Sequence, residues 1–524
     1  MSLLNGGQAL IHSLQRAGIR TVFGIPGAGQ YEAVDALYDA PGIRYISVRH
    51  EQAATYMADG YARASGEIAA ALLAPGPGLY NGMAGMATAY AASAPMLVIT
   101  GARQPSTDAR DSDELAVMRR LTKWSAAASQ PAQIPELVRE AVRQLKSGRP
   151  RPVGLEIAPR ILAQQAEVTL LDAPAVAAAA DLPAIQRAAP MLRAAQKPVL
   201  WAGGGVQRAA AWESLQRLAE HLQMPVVTSR QGKGVLSDRH PLALGMAELR
   251  YAPLHHWLAE RDLIVAVGTS QPLAGFAQPV VRIDADIAQF ADQPNGVQIA
   301  GDAAAVLQAL LTEIANRCAP RAVDAALHAE IRQLNGARFA PANQLQPQMG
   351  FMQAIRNALP ADGLLVQGMN QMGYYSRNYF PVYAPRAYLT ASAHATLGCA
   401  WPLALGAKVA QPERAVVALS GDGGFLYNAQ ELATAVQQSI NAVVIVFNDN
   451  AYGNVLRAQQ EEFDGRVIGT RLHNPDFLKL AESYGVRGVL AADAAQLETA
   501  LRKALVADAP TLIEVKVGEL ARVY

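Results

Sequence analysis

Cysteine is nearly absent: Cys318 and Cys399 are the only two in 524 residues. That excludes a disulfide scaffold and a Cys-rich metal site, and it suits a reducing cytoplasm. Charge imbalance is absent too, with 45 Lys and Arg against 44 Asp and Glu, so nothing in the total charge points to nucleic acid or to an anionic membrane surface. No apolar run approaches the ~20 residues needed to cross a bilayer. The opening MSLLNGGQALIHSLQ lacks the basic start and continuous apolar core of a signal peptide, and the expected location is the cytoplasm. What the chain does have is apolar material, 51% hydrophobic against 17% charged. At this length it is too long for one ordinary core and reads as a large α/β protein of several domains.

The two hydrophobic periods alternate along it. NGGQALIHSLQRAG and YEAVDALYDA carry apolar residues at helical spacing, while TVFGIP, IAAALLA and PMLVITG are short buried strands closed by Gly or Pro, and such alternation implies parallel βαβ units. The pattern runs to RPVGLEIAPR, stops at the Ala- and Pro-rich LLDAPAVAAAADLPA, and resumes with PVLWAGGGV, MPVVTS, LIVAVGT and VVRIDAD. A second break, NGARFAPANQLQPQMG, precedes a third alternating region. The expectation is three doubly wound parallel-sheet domains over residues 1–165, 185–330 and 345–524.

Within the third region, AVVALSG reads as a strand ending at Asp422, NAQELATAVQQ as a helix, and AVVIVFN as a strand ending at Asn448. If the two strands are neighbours, Gly421, Asp422, Gly423 and Gly424 lie beside Asn448, Asp449 and Asn450 at the carboxyl edge of one sheet, where ligands of open α/β sheets bind. The glycines let backbone approach a phosphate, and Asp422 with Asn448 or Asp449 could supply the one or two carboxylate-type ligands that a phosphate-bound magnesium takes. An isolated GDG is usually a turn, but a turn needs no second polar cluster one strand away.

GDG, about two dozen residues and then a short Asn/Asp cluster resembles the signature of thiamine-diphosphate-dependent enzymes, and the whole chain is similar to their acetohydroxyacid synthase and 2-oxo acid decarboxylase group. The resemblance implies a pyrimidine-binding domain, a middle domain and a diphosphate-binding domain, in that order. It implies thiamine diphosphate and Mg2+, with Asp422, Asp449 and the Ala451 carbonyl as metal ligands and Tyr452 and Gly453 beside the cofactor. The family more often has Asn where this chain has Asp449, and Asn448 is a rival ligand. In RHEQAATYMADGYAR, Glu51 matches the glutamate that touches the aminopyrimidine ring, a task for a carboxyl shielded from water that shares a proton with the ring nitrogen; on its own it would read as a first-turn acid on a helix dipole. Gly24, Pro26 and Gly27, then Gly76 and Asn81, match turns lining that pocket. In HATLGCAWPLALGA, Leu397 matches the wedge beneath the cofactor and Ala395 the carbonyl that holds its amino group, and Asn370 and Gln371 match diphosphate contacts, although as loop amides they could equally be solvated.

The implied reaction is decarboxylation of a 2-oxo acid with transfer of the fragment to a carbonyl acceptor, acetolactate synthase-like. The alternative is non-ligating decarboxylation or a C–C lyase reaction. Simple decarboxylases of the group carry active-site histidines for proton transfer; here Ala28 and Ala74 stand where the benzoylformate decarboxylase pattern has Ser and His, and the His-His pair of pyruvate decarboxylases is missing. PGPGLYN and the LTKW around Lys123 look closer to the synthase, whose catalytic Gln position holds Arg110 and whose Asp-Ser-x-Pro reads Ala-Ser-Ala-Pro at 92–95. Arg110 and Lys123 read as anion contacts or as exposed cations, and His394 as a proton shuttle or a structural histidine. FAD stays open, because GGGV at 203–206 lacks the dinucleotide fingerprint. That lack also speaks against a nucleotide-binding dehydrogenase, and Glu51, Asp422 and Asp449 together speak against a non-catalytic subunit. The expected partners are a small 2-oxo acid and further copies of the chain, as a homodimer or dimer of dimers.

Overall fold

The computed structural model describes the chain except residues 103–112, 177–179, 249–250, 271–272, 274, 288–294, 392–393 and 524. Among the described residues the glycine-punctuated apolar runs form three six-stranded sheets. Every strand pair within them is parallel. Strands such as Ala69–Leu73, Leu263–Val267 and Val443–Asn448 are buried along their whole length, as runs covered by helices on both faces must be.

The first sheet is ordered Arg44–Ser47, Thr21–Gly24, Ala69–Leu73, Met96–Thr100, Val153–Ile157, Trp124–Ala128. The third is ordered Tyr388–Thr390, Leu364–Gln367, Val416–Gly421, Val443–Asn448, Thr511–Lys516, Arg487–Ala491. Counted in chain order, both read 2-1-3-4-6-5, so each reverses direction between its first and third strands. The middle sheet reads 3-2-1-4-5-6 and reverses between Pro198–Ala202 and Leu263–Val267. Ligands of such sheets bind at the carboxyl ends of the strands flanking the reversal, so topology alone marks three candidate crevices. A ribbon of Ser2–Asn5 against Gln165–Val168 closes the first unit.

The first and third units share one core. Phe23, Tyr56 and Met57 from one pack with Trp401, Leu403 and Phe425 from the other. Their contact is the crossing of the Glu51–Ser65 and Ala400–Ala410 helices, which is close because both carry glycine there. A Cβ on Gly60 would stand 2.1 Å from the Leu403 carbonyl oxygen, and one on Gly406 would stand 1.9 Å from that of Met57.

Two local expectations change. The helix expected over NAQELATAVQQ is present but begins three residues later, at Glu431–Gln437, and a separate single turn, Asp422–Phe425, precedes it. Between them the Asn428 amide turns inward and donates to the Gly398 carbonyl at 2.8 Å and to Gln52 Oε1 at 3.0 Å, bonds that a continuous helix would forfeit. The passage expected to be a second break is partly helical: Ala325–Arg338 takes up NGAR and buries Ile331 in the middle core, and Gln348–Ala358 opens the third unit.

Candidate functional site

In the third sheet the strands flanking the reversal end at Gln367 and Gly421. Gly421 pairs with Phe447 of the next strand, which sets Asp422 opposite Asn448, so the neighbouring-strand expectation holds. Asp422 is buried at the start of the single turn. Asn448 spends its nitrogen on Glu514 Oε1 at 2.8 Å, and its oxygen accepts from Asn450 N at 3.1 Å. Both ends of that amide are thus occupied within the protein. Asp449 Oδ1 accepts the Ala451 N–H at 3.2 Å, and burial together with the Asp422 carboxylate pushes the Asp449 carboxyl up to about 7. Two adjoining carboxylates, one buried and one half-buried, are the environment a cation relieves.

The loops around this pair leave room and unmet bonding capacity. Gln371 donates to Asn454 Oδ1 at 2.5 Å, while its own Oε1 is buried with no partner among the described residues. Asn370 caps the Gln371–Tyr379 helix through Gly373 N at 2.8 Å and reaches the Leu419 carbonyl at 3.3 Å, so it ties the two strand ends together. A Cβ on Gly424 would meet nothing nearer than Ser420 Oγ at 3.6 Å and Leu397 Cδ2 at 3.9 Å, which leaves a gap between the glycine loop and Leu397. By contrast a Cβ on Gly423 would strike the Tyr452 ring at 2.6 Å and one on Gly453 would strike Asp449 Oδ2 at 2.3 Å. His394 and Ala395 are exposed at the turn before Leu397, Ala395 in the left-handed region at φ 55°. Among the described residues no group of three or more His, Cys, Asp or Glu side chains gathers. The donor set is two carboxylates and backbone or amide oxygen, which fits a hard cation that shares phosphate oxygens.

The first sheet repeats the arrangement. Gly24 ends one flanking strand and Gly76, at φ 69°, follows the other, with Pro26 and Gly27 in the turn between. Glu51 opens its helix, capped by His50 Nδ1 accepting from Gln52 N at 3.1 Å. It is half-buried, and its Oε2 accepts from Asn81 Nδ2 at 3.0 Å. Among the described residues no hydrogen bond joins Glu51 to the Asp422 edge. The structure therefore gathers Gly24, Pro26, Gly27, Glu51, Gly76 and Asn81 in one place, and Asn370, Gln371, Leu397, Asp422, Asp449 and their neighbours in another.

Sequence reasoning missed two residues. Glu431, buried in the third unit, accepts the Arg49 N–H at 3.1 and 3.2 Å and the Thr434 hydroxyl at 2.5 Å, directly ahead of the Glu51 helix. Burial pushes its carboxyl up to about 7. Asn474 lies against Asp422 at 2.6 Å. Two expected cations are placed differently. Lys123 donates to the Ser147 and Arg149 carbonyls at 2.7 and 3.1 Å, holding the end of the Ile134–Lys146 helix rather than facing either glycine loop. Arg110 lies outside the described residues. The chain does contain adjacent histidines, His255 and His256, but on the Ala252–Ala259 helix of the middle unit.

At the reversal of the middle sheet lies a cavity of about 900 Å3, reached by Gly204, Arg208, Gly268, Asp284, Arg149 and Arg63. A Cβ on Gly203 would stand 2.2 Å from the Gly268 carbonyl oxygen, so the two strand ends meet only through glycine. Burial beside Arg149 and Arg63 pushes the Arg208 guanidinium down to about 10, with Asp284 the nearby acid.

Three parallel-sheet units, two of them identically wound, with an acid-bearing glycine loop in the third, define a cofactor-dependent α/β enzyme. Residues 4–118 match the thiamine pyrophosphate enzyme N-terminal TPP binding domain, 185–310 the central domain and 368–515 the C-terminal TPP binding domain. A probable 2-ketoarginine decarboxylase of Pseudomonas aeruginosa is 37% identical over 98% of this chain and 94% of its own. A probable acetolactate synthase large subunit of Methanocaldococcus jannaschii is 33% identical, over 98% and 92%. The acetolactate synthase isozyme 3 large subunit of Escherichia coli is 31% identical, over 96% and 93%. The chain belongs to the thiamine pyrophosphate enzyme family.

Proposed function

We propose that the protein decarboxylates a 2-oxo acid and transfers the remaining fragment to a carbonyl acceptor, as the acetolactate synthases do. The observation that carries this reading is the buried Asp422 opposite Asn448, with Asp449 beside it, at the reversal of the third sheet. Asp422, Asp449 and the Ala451 carbonyl would hold Mg2+. Asn370 and Gln371 would meet the diphosphate, the unpartnered Gln371 Oε1 being satisfied through a bound water or the cation's hydration shell. Leu397 would fill the space beneath the bent cofactor, with Gly424 leaving it room, and the Ala395 carbonyl, Tyr452 and Gly453 would border it. When bound, thiamine diphosphate supplies the electron sink on which the carboxylate is lost. Glu51, kept in place by Asn81, would hold and share the proton at the aminopyrimidine nitrogen, and Gly24, Pro26, Gly27 and Gly76 would let backbone close around that ring.

In this reading Glu51 of one chain would serve the Asp422 edge of another, in a homodimer or dimer of dimers in the cytoplasm. The division into pyrimidine-binding, middle and diphosphate-binding domains at 1–165, 185–330 and 345–524 follows the same roles. The 2-ketoarginine decarboxylase relative, at the higher identity, favours a second reading: simple decarboxylation of a 2-oxo acid with a basic tail. Mass spectrometry of the products from pyruvate, alone and with an aldehyde, and from 5-guanidino-2-oxopentanoate separates them. A hydroxy-ketone or acetohydroxyacid supports transfer, and an aldehyde alone supports the second reading. The middle-sheet cavity, with its glycine edges and surplus of guanidinium groups, would suit a nucleoside diphosphate such as the ADP portion of FAD; the visible spectrum of the supernatant after denaturation tests for flavin.

A further inference from the structure

The polar cluster at Asp422 is completed by a side chain from a stretch with no motif of its own. The segment leading to Asn474 is laid along the Asn450–Tyr452 loop by backbone bonds, Tyr452 N to the Thr470 carbonyl at 2.8 Å and Leu472 N to the Asn450 carbonyl at 2.8 Å, with Ala451 bridging Arg471. Asn450 accommodates this in the left-handed region at φ 52°. The path delivers Asn474 Nδ2 to three oxygens: Asp422 Oδ2 at 2.6 Å, Asn448 Oδ1 at 3.0 Å and Asn450 Oδ1 at 3.1 Å. An amide nitrogen carries two hydrogens, so three acceptors exceed what it can serve. Its partner oxygen, Asn474 Oδ1, is buried with no donor among the described residues. An amide crowded with acceptors on one side and idle on the other is not the arrangement a purely structural asparagine settles into.

We infer that Asn474 is a positioning residue of the metal site. By holding one oxygen of the Asp422 carboxylate it commits Asp422 to bind a cation through the other, and by bridging to Asn448 and Asn450 it locks the two strand-end loops at one separation. Groups that orient a metal's carboxylate ligands typically change metal affinity by about 10–100-fold when removed. The inference rests on the proposed function, since it needs Asp422 to be a metal ligand.

Its test is calorimetric titration of Mg2+ into the full chain at saturating thiamine diphosphate, for the wild type, Asn474→Ala and the near-isosteric Asn474→Leu. Both variants are expected to bind Mg2+ about 10–100-fold more weakly and to regain turnover at high Mg2+, whatever the lost hydrogen bonds cost in metal-free stability. Wild-type affinity in both variants overturns the inference and leaves the proposed function standing. A turnover loss that excess Mg2+ does not restore overturns it in favour of a purely structural role. Failure of the wild type itself to take up Mg2+ with thiamine diphosphate overturns the proposed function and this inference with it.

Discussion

Replacing Glu431 by glutamine probes the joint between the third unit and the helix that carries Glu51. The carboxyl is fully buried and sits near 7, against 4.5 for a free glutamate. A carboxyl whose folded value is raised keeps its proton through a range in which the unfolded chain has lost it. Its stabilisation is therefore complete below about 4.5, falls as pH rises, and levels off above about 7. The interval of about 2.5 units, at 1.36 kcal/mol each, corresponds to about 3 kcal/mol. Glutamine cannot ionise, yet its carbonyl can still accept the Arg49 N–H. Urea unfolding of both proteins from pH 4.5 to pH 8 should give a wild-type-minus-variant difference that declines by about 3 kcal/mol across that range and is flat beyond it. Groups common to both proteins cancel in the difference. Parallel curves would refute the reasoning, because they would mean that Glu431 titrates alike in the folded and unfolded chains.

Gly406→Ala or Gly60→Ala should destabilise by about 1–3 kcal/mol or more, because the added methyl meets a backbone carbonyl that cannot swing away; melting temperatures check it, and the double variant should fall short of additivity because the two sites share one crossing. Lys123→Met should leave turnover unchanged and cost about 1–2 kcal/mol of stability, since it removes two bonds to helix-end carbonyls; a fall in kcat with stability intact would return Lys123 to the active site. Asp449→Asn should raise the melting temperature of the metal-free protein above pH 7, where wild-type Asp449 must ionise beside Asp422, and should shrink the stabilisation that Mg2+ confers.

How much of this was legible in the sequence depended on where each residue finds its partners. The Val416–Gly421 and Val443–Asn448 strands announce themselves as uniform apolar runs ended by glycine or amide, and their adjacency follows from the short connection between them. The Glu51 helix carries its own cap. The three-sheet architecture was readable for the same reason. Glu431 and Asn474 were not, because their significance arises from bonds to Arg49, 382 residues away, and to Asp422, 52 residues away, and no local pattern encodes those meetings. The Pro77–Ala92 helix is poor in amphipathic signal because it is apolar nearly all round, and the expected helix from Asn428 lost its first turn to side-chain bonds made across the domain joint. The middle cavity went unread because GGGV offers no fingerprint, whereas the 3-2-1-4-5-6 strand order that locates it exists only in three dimensions. Lys123 looked like an anion contact because a sequence does not show that two carbonyls lie within reach of its ammonium group.

The central claim is that the Asp422 edge anchors thiamine diphosphate through a divalent cation. Its most direct test is calorimetric titration of thiamine diphosphate into the wild type and Asp422→Ala, each with Mg2+ and with EDTA. Uptake is expected by the wild type only with Mg2+, and by the variant under neither condition. Equal binding in EDTA, or binding by Asp422→Ala that matches the wild type, would contradict it.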